Sequence, residues 1–148
     1  MSRFVYADNA ATTPVSQEVI DAINENGGIA ILAHPAWSVN TIEDAKALSG
    51  IAATEIYNTV SNVGQSNRPY SGYFVDALAN AGITYKLIAT DDVHYYDGND
   101  ETKSYIMVNS ADDSTEEILN AIKEGRFYSS QGPELYATQR DGKIVVNC

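Results

Sequence analysis

Leu87-Ile88-Ala89-Thr90-Asp91-Asp92-Val93-His94 is an apolar run that passes straight into two carboxylates and a histidine. Leu87 to Ala89 read as a strand buried on both faces, the pattern of a parallel sheet. Polar groups just after such a strand stand at its carboxyl end, where α/β proteins place their chemistry. Asp92 and His94, two residues apart, project to one side of extended backbone and are of donor types that can share one metal ion.

The same pattern recurs upstream. Ile29-Ala30-Ile31-Leu32-Ala33 is apolar throughout and ends in His34-Pro35, and a second strand, Ala53 to Tyr57, runs through Glu55-Ile56-Tyr57-Asn58. Between these strands Thr41 opens a helix with Glu43 and Asp44 in its first turn, Ile42, Ala45 and Leu48 on one face, and Gly50 as its stop. A polar loop from Ser61 to Pro69 then leads into a helix over about Ser71 to Ala81, with Phe74, Val75 and Leu78 inward and Gly82 at its end. Three strand-to-helix units in succession imply a parallel sheet with helices outside it, and right-handed crossovers turn every carboxyl end to one side. His34, Glu55, Asn58, Asp92 and His94 are therefore expected on one rim. Asp91 reads as a supporting carboxylate, and Arg68, in the loop after the second strand, is either a phosphate clamp or a solvated side chain. Trp37 and Tyr95-Tyr96 could wall a pocket or pack the rim.

Downstream, Tyr95 to Thr102 lacks the distal Glu of an EF-hand and reads as an acidic surface loop. Tyr105 to Val108 is a further strand. Ser114-Thr115-Glu116-Glu117 has the form of a capping box for a helix over Glu116 to Glu124, with Ile118, Leu119 and Ile122 facing the core and Gly125 ending it. Arg126 is placed to serve that helix's dipole. Phe127 to Ser130 returns as a strand, and Leu135 to Thr138 and Lys143 to Val146 form a hairpin through Asp141-Gly142. At the other end Phe4-Val5-Tyr6 is strand-like, and Ser16 caps a helix carrying Val19, Ile20 and Ile23 on one face. Gly27-Gly28 is the candidate boundary between a leader, 1–26, and a domain, 27–148.

With 148 residues and 44% hydrophobic content the chain can bury one real core. Its formal charge of −11, with nine scattered basic residues, argues against a nucleic-acid partner. A small phosphorylated substrate remains open where metal ions supply positive charge. No apolar run approaches the roughly 18–20 residues of a membrane span, and no secretory signal is recognisable, so no membrane partner and a cytoplasmic location are expected. The single cysteine, Cys148, permits no internal disulfide.

Two resemblances add to this. Tyr6-Ala7-Asp8-Asn9-Ala10-Ala11-Thr12-Thr13-Pro14-Val15-Ser16, followed by Glu18-Val19, resembles the amino terminus of class V aminotransferases of the cysteine desulfurase type. Those enzymes hold pyridoxal phosphate on a lysine in a Ser-x-His-Lys context. Neither His34 nor His94 is followed by Lys, so no pyridoxal phosphate is expected. From residue 28 on, Gly28-Ile29-Ala30-Ile31-Leu32-Ala33-His34-Pro35, Glu55-Ile56-Tyr57-Asn58, Asp91-Asp92-Val93-His94 and the run from Ile118 through Gly125-Arg126-Phe127-Tyr128-Ser129-Ser130-Gln131-Gly132-Pro133 resemble the carboxyl-terminal half of a PHP (polymerase and histidinol phosphatase) domain.

That resemblance implies an α/β fold that is part of a (β/α) barrel, with helices outside a parallel sheet and a hairpin at the end. It implies metal-dependent hydrolysis of a phosphoester, with His34, Asp92 and His94 as metal ligands and with Glu55 and Asn58 in a sequence word shared with the family; the reading of the residues themselves adds Asp91 and Arg68 as candidate supporting or substrate-binding residues. The ion would be Mn, Zn, Mg or Fe. The family opens with a His-x-His strand and further ligands, whereas this sequence holds two histidines, so at most one ion per chain is expected. Two functions follow: a small-substrate phosphoesterase, or a non-catalytic half-barrel with a structural or partner-binding role. Uncovered sheet edges in a partial barrel also imply a homo-oligomer.

Overall fold

The computed structural model describes residues 15–62, 66–94 and 100–148; the strand expected at Phe4 to Tyr6 and the Tyr95-Tyr96 pair lie outside them. Three parallel strands, β1 (Ala30–Leu32), β2 (Ile51–Asn58) and β3 (Lys86–Thr90), lie side by side in that order. They are the three apolar runs of the sequence, and the expected parallel sheet is present, but Leu87 of β3 is exposed and the burial expected from Leu87 to Ala89 holds for Ile88 and Ala89 alone. Its centre is small-residue packing: Ala53 and Thr54 of β2 are fully buried, and Ile88 and Ala89 of β3 nearly so. The Thr54 hydroxyl donates to the Leu32 carbonyl at 3.1 Å, which closes the β1–β2 seam.

Helix α1 (Gln17–Glu25) buries Ile20 and is fastened to the segment entering β2. Its Gln17 side chain donates to the Ser49 carbonyl and accepts from the Ser49 N–H, and Asn24 donates to the Gly50 carbonyl. Ser16 occupies the N-cap position, but its hydroxyl accepts no backbone N–H of the helix. After β1 the chain makes a one-turn helix, α2 (Pro35–Ser38), then α3 (Ile42–Lys46). Thr41 and Asp44 form a reciprocal capping box, as the acidic first turn favours. The helix stops at Lys46, so Leu48 falls in the turn beyond it and the expected Ile42-Ala45-Leu48 stripe is shortened to two residues. α4 (Gly72–Asn80) buries Phe74 and Leu78, and these pack with Ala45, Leu32, Ile42, Ile83 and Tyr85 into the main apolar cluster.

β4 (Tyr105–Val108) and β5 (Phe127–Ser130) are antiparallel partners joined through α5 (Thr115–Glu124). The Ser129 hydroxyl donates to the Leu87 carbonyl at 2.9 Å and fastens this pair to β3. An antiparallel pair does not continue a (β/α) repeat, so among the described residues the strands form one parallel sheet and two antiparallel pairs, with no closed barrel. Ser114 caps α5 by accepting from Glu117 N–H, but Glu117 does not reach back as a capping box requires. Its carboxylate instead accepts from Arg126, whose guanidinium also bonds Glu124 and the Asn109 carbonyl. Arg126 therefore ties both ends of α5 to the end of β4, a more specific role than serving the dipole. Gly125 ends the helix at φ 79°, a left-handed cap that costs glycine nothing. β6 (Tyr136–Arg140) and β7 (Lys143–Asn147) form the expected hairpin through Asp141-Gly142, both residues at positive φ as this tight turn requires. Among the described residues no helix is long and apolar enough to cross a membrane.

Candidate functional site at the carboxyl edge of the parallel sheet

The carboxyl ends of β1, β2 and β3 meet at Glu55. Its side chain is 6% exposed, and all three of its partners are donors. Oε2 accepts from the His34 backbone N–H at 2.6 Å and from Asn58 Nδ2 at 3.0 Å, and Oε1 accepts from the Thr90 hydroxyl at 2.6 Å. One carboxylate thus joins the chain just beyond β1, the last residue of β2 and the last residue of β3. A buried carboxylate is costly unless hydrogen bonds occupy both oxygens, and here they do.

Asn58, 1% exposed, is the second hub. The same Nδ2 that reaches Glu55 donates to Asp92 Oδ2 at 3.2 Å, and Oδ1 accepts from the Ser61 N–H at 3.0 Å. The backbone around it explains the placement. Beyond β1 the chain turns away into α2, and Pro69–Ser71 takes the vacated edge of β2: Asn58 N–H donates to the Pro69 carbonyl and Ser71 N–H to the Ile56 carbonyl, both at 2.9 Å. On the other side Thr59 N–H reaches Thr90 O and Val60 N–H reaches Asp91 O, so β2 and β3 stay aligned past their ends. The Ser71 hydroxyl accepts from Ala36 N–H and links α2 to the start of α4.

His34 sits at φ 30°, ψ 55°, in the left-handed region, at the N-cap of α2. Its Nδ1 pairs with the Ser38 hydroxyl at 2.8 Å, and its ring meets Trp37 edge-on at 5.0 Å, so Trp37 braces the histidine. Asp92 is also left-handed, at φ 56°. His94 Nδ1 lies 2.6 Å from the Asp92 carbonyl. A carbonyl only accepts, so Nδ1 carries the proton, and in the neutral ring this tautomer leaves the lone pair on Nε2, the form in which imidazole binds a metal. The His94 ring is 56% exposed.

Asp91 is a structural tie. Its carboxylate accepts from the Thr59 hydroxyl at 2.9 Å, from Lys103 N–H at 3.0 Å and from Ser104 N–H at 2.6 Å, fixing the start of β4 to the end of β3. Asp100 departs from the expectation of an acidic surface loop: it is 9% exposed and accepts from His94 N–H at 3.2 Å. Among the described residues its Oδ1 is buried without a partner. Asp100, Thr90 and Ser38 carry no periodic or motif signal, and sequence reasoning missed them. Arg68 is exposed, with its own N–H on the Ser61 carbonyl.

Of the residues singled out from the sequence, His34, Glu55, Asn58 and Asp92 are therefore joined in one hydrogen-bonded network, with His94 attached through Asp92. Asp91 stands beside them and Arg68 outside. Among the described residues no Lys or Arg forms an ion pair with Glu55, Asp91, Asp92 or Asp100. The nitrogen and oxygen donors suit a hard or borderline divalent ion. As they stand, however, no three His, Cys, Asp or Glu side chains among the described residues are grouped to hold one.

No family model matches this chain, and no curated protein or solved structure does either.

Proposed function

We propose that this chain is a PHP-like, metal-dependent phosphoesterase-type domain that holds one divalent ion through His34, Asp92 and His94 and acts on a small phosphorylated substrate. The observation that carries this reading is the Asn58 amide, which stands between the carboxylates of Glu55 and Asp92 at the carboxyl edge of a parallel sheet. A bound ion would supply charge neutralisation for the phosphate and activation of water. The chain's own residues orient the donors. Asn58 holds one oxygen of Asp92, the Asp92 carbonyl fixes the His94 tautomer, and Glu55 anchors the backbone of His34. The sequence holds two histidines, so a multinuclear set of the histidine-rich kind that the resemblance implies would need donors from outside these 148 residues.

A second reading, a non-catalytic domain in which this network only satisfies buried polar groups, is favoured by the absence of a grouped donor set among the described residues. Calorimetric titration of metal-stripped protein with Mn²⁺ and Zn²⁺, beside a panel of phosphomonoesters and phosphodiesters, separates the two. The first reading expects one equivalent of metal, lost in His94→Ala and weakened in Asp92→Asn, with metal-dependent turnover lost in the same variants. Protein that takes up no metal and turns nothing over belongs to the second.

A further inference from the structure

The β6–β7 hairpin departs from the rest of the molecule. Every residue of both strands is exposed, among them Tyr136, Ile144, Val145 and Val146. Its root is held by Leu135 N–H on the Tyr128 hydroxyl at 2.8 Å. A lone two-stranded hairpin is marginal in water, and a free apolar edge is a template for pairing. The two-residue turn makes Arg140 and Lys143 a hydrogen-bonded pair, so the alternation of the ladder turns the N–H and C=O of Ile144 and Val146 outward.

We propose that the β7 edge is a self-association site that pairs antiparallel with β7 of a second copy about a two-fold axis at Val145. In that register Ile144 of each copy lies opposite Val146 of the other, so the outward N–H and C=O groups satisfy one another. Four apolar side chains then gather on one face of a four-stranded sheet. Charge favours the arrangement. Residues 136–147 hold Arg140, Lys143 and Asp141, a local excess of one positive charge, whereas the other residues hold seven basic and nineteen acidic groups. Antiparallel pairing lays the basic tip of each hairpin beside the root of its partner and so toward the partner's acidic body. This surface is independent of the phosphoesterase reading and stands or falls without it.

Sedimentation of the full chain at tens of micromolar tests the proposal. The wild type is expected to be a dimer. Ile144→Lys removes two apolar side chains per dimer and is expected to weaken it on the order of a hundredfold or more, with far-UV circular dichroism preserved because the hairpin stands apart from the core. In a Cys148→Ser background, Val145→Cys places two thiols across the axis. Their Cα atoms would be about 4.5 Å apart in a non-hydrogen-bonded pair, within disulfide range, so mild oxidation is expected to yield a covalent dimer. A monomeric wild type, a dimer that Ile144→Lys leaves intact, or Val145→Cys protein that fails to cross-link would each overturn it.

Discussion

Replacing Asn58 by Asp exchanges one NH₂ for an oxygen at nearly constant volume, so no cavity term enters. Asn58 Nδ2 donates at 3.0 Å to Glu55 and at 3.2 Å to Asp92, and the variant sets a third carboxylate against those two. Hydrogen bonds to charged groups contribute about 1.5–3 kcal/mol each. With Asn58 1% exposed, water does not screen the exchange. The two donations become two like-charge contacts, and the expected loss at pH 7 is about 3–5 kcal/mol, a large share of the roughly 5–15 kcal/mol that holds a domain folded. The loss depends on pH in a defined direction. A proton on one of three crowded carboxyls restores a donor, so the folded variant binds protons more tightly than its unfolded chain. A raised folded-state pKa gives stability that is present at low pH and lost as pH rises, so the variant recovers relative to wild type from pH 7 to pH 5. Urea denaturation at both pH values, followed by the fluorescence of Trp37, the single tryptophan, reads this out. A loss under about 1 kcal/mol, or an equal loss at the two pH values, would refute Asn58 as the bridge between the carboxylates.

Thr41→Ala removes the hydroxyl that caps α3 and is expected to cost about 1 kcal/mol by thermal melting at neutral pH. The Thr41 backbone N–H, and then its hydroxyl, hold the Asp44 carboxyl below its ordinary 3.8. That stabilisation is present above 3.8 and lost as pH falls through the depressed value, so the gap between variant and wild type should narrow in acid. Val39 is β-branched, 65% exposed and left-handed at φ 58°; Val39→Asn, a residue that tolerates this backbone, should raise stability by about 1 kcal/mol, and a lower melting temperature would contradict the strain assignment. Asp91→Ala removes the acceptor of the Lys103 and Ser104 amides, whose hydrogen exchange should quicken on the order of tenfold or more while the centre of β2 stays protected.

The parallel strands were legible because uninterrupted apolar runs of strand length, each ended by a polar cluster, have few other readings. Helix ends marked by Thr41 and Gly125 were legible for the same local reason, whereas Ser114-Thr115 offered two capping hydroxyls and the structure uses that of Ser114. α2 was not: the four residues Pro35–Ser38 are too few to show a period, although Pro35 stands at its first position, where proline is favoured. Nor could pattern reveal that Pro69–Ser71 lies along β2, since a short irregular segment has no alternation to read and Tyr70 is exposed. At the site, the sequence placed its residues on one rim but ordered them by the reactivity of their side chains, histidines foremost. The structure orders them by hydrogen-bond capacity. Glu55 and Asn58, each with several acceptor or donor positions, hold the centre, and the exposed His94 ring stands at the margin.

This ordering bears on why a buried carboxylate stands here at all. An apolar side chain of similar volume at position 55 would pack between the strands without any desolvation cost, and buried polar groups seldom outperform such a replacement in stability alone. Glu55 also accompanies two left-handed backbones, His34 at φ 30° and Asp92 at φ 56°, conformations that are uncommon outside glycine even where His and Asp tolerate them. The Glu55 contact to His34 N–H at 2.6 Å fixes the first of these turns, and Asn58 ties the second to the same carboxylate. Stability by itself favours neither the charge nor the turns. What they achieve together is positional, for they set a histidine after β1 and an aspartate after β3 in a fixed relation across an intervening strand. The metal-binding reading proposed above depends on that relation, whereas a domain whose network only satisfies buried polar groups does not.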